Sequence, residues 1–369
     1  MRYTAFHLDS ERGLRGGERQ LLYLAAWLRA QGHGSVVVCR AGAPLEGEAR
    51  RLGLDVRTLP FCGELDPVTA WRLAREAGRA ENPVLHAHTA HAAGTAALAA
   101  RLGGPPWVAH RRVDFRLANP VSARLKYGAA SRVVAVSEFI KGVLAKDGVD
   151  PSRVDVVPDA LPLGPAEAKL AGLDVPWGPA PDRDALRRRL GAQTELDPGA
   201  LWVGNLAAMV GHKDQANLLR AMPAVLASEP RARFLVVGDG PLRADLEALA
   251  RELGVAQAVR FPGRQDDPRP WLQSLDVYCQ PSWGEGMGSV LLEAMACRVP
   301  VVATTAGGIP EVTKGTPARL VPPRDPAALA AALLAALREP GGASAPDLTR
   351  FSLEATGNAV LAAYAKARA

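Results

Sequence analysis

Ser282-Trp-Gly-Glu-Gly-Met-Gly-Ser-Val-Leu-Leu-Glu-Ala-Met-Ala296 is the stretch whose reading decides the fold. A short apolar run before it, Leu275 to Gln280 (LDVYCQ), reads as a strand. Glycines at 284, 286 and 288 form a loop, and an apolar helix is predicted from about Ser289 to Cys297. Glycines let a backbone approach a ligand closely, and a helix N-terminus directly after them makes an anion site. Glu285 lies in that loop, at the mouth of the site. Glu293 lies about one helical turn further in, where a carboxylate can accept paired hydroxyl hydrogen bonds. A phosphate cradle flanked by two hydroxyl-binding carboxylates suits a sugar nucleotide.

The strand–loop–helix unit is one of many. Working outward, short β-rich runs alternate with helix-length segments. In the first half the strand-like runs are Tyr3–Leu8, Ser35–Cys39, Val56–Leu59, Val84–His88, Trp107–His110, Val133–Val136 and Val154–Val157. Amphipathic stretches such as Glu18–Ala30 and Ala90–Leu102 separate them. Prolines at 158, 162, 165, 176, 179 and 181 then interrupt the pattern and mark a linker with little room for helix. The alternation resumes with Leu201–Leu206, Arg233–Val237, Val259–Pro262, Val277–Gln280, Val301–Thr304 and Arg319–Val321, with the clearest helices at Asp214–Leu226 and Leu242–Leu253. This is the pattern of parallel sheets with helices on both faces. We therefore expect an α/β chain of two doubly wound, Rossmann-like domains. The first covers 1–165, a Pro-rich linker covers 166–182 and the second covers 183–350. Ligands in such sheets bind beyond the carboxyl ends of the strands. The loops after the first strand and after Val277–Gln280 both fall there.

Composition is that of an ordinary enzyme, with 369 residues, 48% hydrophobic and 22% charged. No apolar run approaches the roughly 18–20 residues needed to span a bilayer. The N-terminus, MRYTAFHLDSERG, lacks the apolar region of a signal peptide, so a cytoplasmic protein is expected. Cys39, Cys62, Cys279 and Cys297 have no framework spacing and read as small buried hydrophobes. The net charge of +6 is uneven: Met1 to Asp159 holds 22 Lys+Arg against 16 Asp+Glu, whereas the remainder is balanced. Much of the excess lies in residues 110–132, which suit an anionic membrane surface, a phosphorylated acceptor or simply solvent.

The 282–296 segment resembles the E-x7-E signature of the retaining glycosyltransferases of family 4, which have the GT-B architecture of two such domains facing a cleft. The resemblance implies that Glu285 meets the donor sugar and Glu293 holds the ribose. Further motifs carry it along the chain. Gly204-Asn-Leu-Ala-Ala-Met-Val-Gly-His-Lys213 resembles the loop where a basic pair meets the diphosphate. Lys213 would open the next helix, and Asn205, which stands where the family often has Arg, would belong to the donor-binding residues. Gly238, in Val236-Val-Gly-Asp-Gly-Pro241, borders the nucleotide in relatives, and Arg264 would stack on the base or stay solvated. Gly286, Met287 and Gly288 complete the donor loop. Ala306-Gly-Gly-Ile-Pro-Glu311 closes the far side in relatives, with Glu311 structural. Gly16 and Gly17 resemble the Gly-Gly loop of the first domain. Among His86, His88 and His110, the last resembles the position near the donor sugar. His88, Arg111 and Arg112 are candidates for the acceptor side. Ser137 caps a helix in a "VSE" turn with Glu138, and the terminal segment 351–369 crosses back onto the first domain in relatives.

These residues imply a retaining hexosyltransferase with Glu285, His110 and Lys213 as the catalytic set. It would move a sugar from a nucleotide-diphosphate sugar, by family habit a UDP-sugar, to a hydroxyl of a cell-envelope glycan or lipid-linked acceptor. No further cofactor and no metal are expected, since Asp182-Arg-Asp184 reads as a helix cap. Domain closure is expected, as is peripheral contact of the basic first half with the inner face of a membrane. No nucleic acid partner is expected. A sugar-nucleotide epimerase on the same architecture and a non-catalytic nucleotide-sugar-binding protein remain alternatives.

Overall fold

Runs of β-branched and small apolar residues, closed on both faces, become the strands of two parallel sheets. The computed structural model describes residues 1–63, 66–114, 124–339 and 345–369. They form two compact units, Met1–Pro176 with Thr349–Ala369 and Trp177–Leu348.

In the first unit the strands are β1 Thr4–Leu8, β2 Gly34–Cys39, β3 Asp55–Thr58, β4 Pro83–Ala87, β5 Trp107–Arg111, β6 Arg132–Ala135 and β7 Val154–Val156. Their order is β3-β2-β1-β4-β5-β6-β7. Every pairing is parallel. The chain runs outward one way from β1 and the other way from β4, so the strand order reverses between them and opens a crevice at their carboxyl ends. The register across this switch point pairs His7 with His86.

The helix Gly16–Ala30 buries Leu21 to Leu28 without interruption. One face meets β2, and another meets the helix Leu353–Arg368, which belongs to this unit. That last helix is capped by Ser352, whose hydroxyl accepts from the Ala355 amide at 3.0 Å. The two helices touch at Gly357, where an added Cβ would lie 2.2 Å from the Trp27 ring. Any side chain there would collide, so the glycine is fixed by packing.

The second unit holds β8 Leu201–Leu206, β9 Ala232–Val237, β10 Val259–Gly263, β11 Val277–Gln280, β12 Val301–Thr304 and β13 Arg319–Val321. They lie in the order β10-β9-β8-β11-β12-β13, again all parallel, with the switch point between β8 and β11. β11 and β12 are buried throughout, as the continuous apolar runs of a doubly covered sheet require. The edge towards the start of β8 is held by Asp276. Its carboxylate accepts from Arg187 at 2.9 Å, Arg183 at 2.7 Å and the Trp202 amide at 2.7 Å. These donors hold the Asp276 carboxyl below its ordinary range despite burial.

Two details depart from the sequence reading. The stretch read as a linker with little room for helix contains the helix Pro165–Leu170. Pro165 occupies its first turn, where the missing N–H costs no hydrogen bond. Cys62 is exposed on the loop after β3, while Cys39, Cys279 and Cys297 are buried as expected.

Candidate active site

In the second unit, four loops converge at the carboxyl ends of β8, β9, β11 and β12. They are stitched together through backbone. The amides of Trp283 and Gly284 donate to the His212 carbonyl at 3.0 and 3.3 Å, and Met209 N–H donates to the Asp239 carbonyl at 2.9 Å. Gly238 has φ +134°, and a Cβ there would lie 2.0 Å from the Ala207 carbonyl, so only glycine allows this approach of β9 to β8.

Glu285 is the hub. Its carboxylate accepts from Lys213 Nζ at 2.9 and 2.7 Å, from Gln280 Nε2 at 3.0 Å and from Ser282 Oγ at 3.3 Å. Gln280 is itself oriented by the Tyr278 hydroxyl and by Ser282 Oγ at 2.8 Å. The Glu285 backbone is held as tightly: Gly308 N–H donates to its carbonyl at 3.0 Å. A Cβ on Gly307, φ +55°, would stand 1.8 Å from that carbonyl oxygen. The Gly307-Gly308 pair therefore seats Glu285, a more specific role than closing the far side of a site. Gly288, at φ +83°, brings Glu285 Cγ within 3.3 Å of where its own Cβ would be and starts the helix Ser289–Ala296. Glu293 lies on that helix and, like Met287, is buried. Gly286 is buried in the same loop.

Lys213 corrects the expectation that it opens a helix. It ends a 3-10 turn, Gly211–Lys213, and the helix Gln215–Ser228 begins only after Asp214 at φ +48°. Its ammonium meets the Glu285 carboxylate, and the pair is largely withdrawn from solvent, at 21% and 9% side-chain exposure. Asn205 also departs from expectation. It is wholly buried within β8, donating from Nδ2 to the Cys279 carbonyl at 2.8 Å, so its amide braces two strands. Arg264 is exposed just past β10.

The first unit gathers a second set at its own switch point. In a strand, residues two apart share a face. His86 and His88 therefore line up, and register adds His7 from β1. His110 at the end of β5 completes four stacked or tilted imidazoles, with His86 and His110 centroids 5.3 Å apart and 5° from parallel. Arg112 donates to His88 Nδ1 at 3.2 Å, to His110 Nδ1 at 3.3 Å and to Asp159 Oδ1 at 2.9 Å. All four imidazoles are driven to the neutral form, first by burial and next by charged or imidazole neighbours including Arg112; for His7 the pKa falls to about 3. Burial pushes the nearby Asp9 carboxyl up to about 7.

His110, Arg112, Asp159, Gln20 and Ala160 line a small pocket closed by the helix Leu353–Arg368. Gly17 is adjacent, its added Cβ reaching to 4.0 Å from Arg112 Cδ, while Gly16 is exposed at the start of its helix. Arg111 does not join this set: it is buried, with its guanidinium over the Tyr127 ring and donating to the Tyr127 hydroxyl at 3.3 Å. Of the basic stretch 110–132, residues 115–123 lie outside the described residues. Sequence reasoning missed His7, Gln20, Asp159 and Tyr364 as members of this cluster. The alternation in His86-Ala-His88 was a visible signal, but strand register brings His7 to it and the packing of the last helix brings Tyr364.

With this geometry in hand, comparison with known proteins assigns the family. The model described as Glycosyltransferase Family 4 matches residues 14–163, and that described as Glycosyl transferases group 1 matches residues 197–339. The chain belongs to the glycosyltransferases of family 4. A GDP-mannose-dependent monoacylated alpha-(1-6)-phosphatidylinositol monomannoside mannosyltransferase of Corynebacterium glutamicum is 38% identical over 146 residues, 37% of this glycosyltransferase-family chain and 36% of that protein. A D-inositol 3-phosphate glycosyltransferase of Streptomyces bingchenggensis is 32% identical over 262 residues, 65% of this chain and 54% of that one. The matched region thus spans about a third to about half of the length of these two relatives. In fold, the chain is similar to Anabaena HepE crystallised with UDP and glucose, with a TM-score of 0.75 at 20% identity over 100% of this chain and 97% of that one. The two Rossmann-like units are those of GT-B proteins. Among the described residues no helix is long and apolar enough to cross a membrane.

Proposed function

We propose that the protein is a retaining glycosyltransferase that moves a sugar from a nucleotide-diphosphate donor to a hydroxyl of a cell-envelope glycan or lipid-linked acceptor. The observation carrying this reading is the Lys213–Glu285 pair set in the Gly286-Met287-Gly288 loop at the β8/β11 switch point. A half-buried ammonium is suited to the charge of a leaving diphosphate, and a carboxylate held by four hydrogen bonds is suited to orienting sugar hydroxyls. On donor entry the Lys213 ammonium would be shared between Glu285 and phosphate oxygens. Glu293, one face of a helix away, would hold the ribose.

The acceptor hydroxyl would attack on the face from which the diphosphate departs. Its oxygen forms the new bond to the anomeric carbon as the bond to the phosphate oxygen breaks, and the leaving phosphate takes the proton. In the first unit, Arg112 and His110 are suited to the oxygen atoms of an acceptor. One relative acts by its description on a phosphatidylinositol mannoside, which supports a lipid-linked acceptor. HepE with UDP bound and the GDP-mannose-dependent relative support a nucleoside-diphosphate donor and leave uridine and guanosine as the bases to test.

The test is a thermal-shift screen of nucleoside diphosphates and their sugar conjugates, in which the true donor gives the largest concentration-dependent stabilisation. Turnover is then measured with that donor. Glu285→Ala and Lys213→Ala are each expected to lower it at least about a hundredfold, the scale of losing a transition-state contact. A rate near normal in either variant removes that residue from the mechanism. Inversion of the anomeric centre in the product would overturn the retaining assignment.

A further inference from the structure

The hydrogen-bond chain through the four histidines has only one consistent direction. A guanidinium donates and never accepts, so His88 Nδ1 and His110 Nδ1, each facing Arg112, must both be bare acceptors. A neutral imidazole then carries its hydrogen on the other nitrogen. His88 Nε2–H donates to His7 Nδ1 at 3.1 Å, which leaves the hydrogen of His7 on Nε2. His110 Nδ1 also faces His86 Nε2 at 3.2 Å, so His86 Nε2 is the donor there. His86 Nδ1 is then an acceptor and takes the hydroxyl hydrogen of Tyr364 at 2.7 Å. No step offers a choice.

We infer that Arg112 acts as a positioning residue that locks His7, His86, His88 and His110 as Nε2–H tautomers, so that His110 presents a hydrogen-bond donor, and not a base, to the pocket it lines. His110 Nε2 is buried and has no partner among the described residues, as is His7 Nε2 at the other end of the chain. A buried donor left unmet is destabilising, and an oxygen of an entering ligand recovers that cost. The ligand class is accordingly an oxygen acceptor: a hydroxyl, carbonyl or phosphate oxygen that meets His110 Nε2–H beside the Arg112 guanidinium. Arg112 fixes both arms, His88 and His7 on one side and His110 and His86 on the other, and the Tyr364 hydroxyl, able to donate or accept, follows the direction it is given. The same direction argues against a metal among His7, His86 and His88, although their ligand atoms lie within 4.8 Å of one another. Ligation through His88 Nε2 would place hydrogen on Nδ1, against the N–H of Arg112. The tautomer assignment stands apart from the transferase reading; only the identity of the ligand oxygen rests on it.

The test is two-bond ¹H–¹⁵N correlation spectroscopy of the full chain labelled at histidine, without substrate, with signals assigned by single histidine substitutions. His33 provides an internal reference, because its Nδ1 accepts the Tyr3 amide at 3.1 Å. The expected spectrum shows all four cluster histidines neutral with Nδ1 bare. Arg112→Met should turn all four into tautomer mixtures, whereas Tyr364→Phe should leave all four with Nδ1 bare. A native His110 protonated on Nδ1 overturns the inference, and so does an Arg112→Met spectrum in which all four keep their tautomers. Should Arg112→Met fail to fold, the native spectrum decides alone. Lack of turnover on any donor would sink the proposed function and leave these spectra untouched.

Discussion

Gly307→Ala tests how the candidate site is assembled. At φ +55° the new methyl would sit 1.8 Å from the Glu285 carbonyl oxygen, where at least 3.0 Å is needed, so the Glu285 backbone must retreat by more than an ångström. Three costs follow. A left-handed alanine costs about 1–2 kcal/mol, partly offset by about 0.4–1 kcal/mol lost from unfolded-chain entropy. The hydrogen bond from Gly308 N–H to that carbonyl is broken, and leaving its buried oxygen unmet costs about 1–3 kcal/mol. Local repacking adds about 1 kcal/mol. The total is about 3–5 kcal/mol, or a fall in Tm of roughly 10 °C for a domain of this size. Gly315→Ala is the control: it shares the left-handed backbone, φ +79°, with nothing within 4 Å of the added methyl, and should cost no more than about 1.5 kcal/mol. Displacing Glu285 by that distance should also cut turnover about a hundredfold. Thermal melts of both variants and donor turnover of Gly307→Ala are the assays. Equal melting shifts for the two, or an undiminished rate for Gly307→Ala, would refute the claim that this glycine seats Glu285.

Other expectations follow from the same packing. Gly357→Ala should destabilise by about 1–3 kcal/mol through collision with Trp27, reversing the gain of about 0.5–1 kcal/mol usual for this change within a helix; a melt that rises contradicts the contact. Acid should weaken the first unit. His7, depressed to about 3 from an ordinary 6.5, binds its proton more readily when unfolded, so its contribution is full above about 6.5 and shrinks by about 2 kcal/mol on going to pH 5. Asp9, raised to about 7, acts oppositely and gains a similar amount over that range, since its folded form holds the proton. His86, His88 and His110 share the direction of His7, with Arg112 the charged neighbour common to all, and tip the balance towards loss. Urea unfolding at pH 7 and pH 5 should show a lower midpoint in acid, larger in Asp9→Asn; a midpoint that rises in acid would show that the imidazoles charge freely in the fold.

The two sheets were legible because most central strands are short runs of apolar residues covered on both faces, and such runs carry their own punctuation. β8, β11, β12 and β13 fall on the residues that the apolar runs predict. The glycines of the 284–288 loop were visible for the same local reason. What a linear reading misjudged were features set by partners far along the chain. Asn205 looked like a ligand-facing residue but is sealed between β8 and β11, and Arg111 looked free but stacks on Tyr127. Lys213 looked like the start of a helix, whereas Asp214 in the left-handed region delays that start.

From the chain alone came the local chemistry: which segments extend, which coil, and where glycine precedes a helix. Tertiary packing decided the rest. Glu285 meets Lys213 across 72 positions, and His86 meets Tyr364 across 278. Hydrogen bonds over such separations depend on strand order and on how the last helix docks, which no local periodicity encodes.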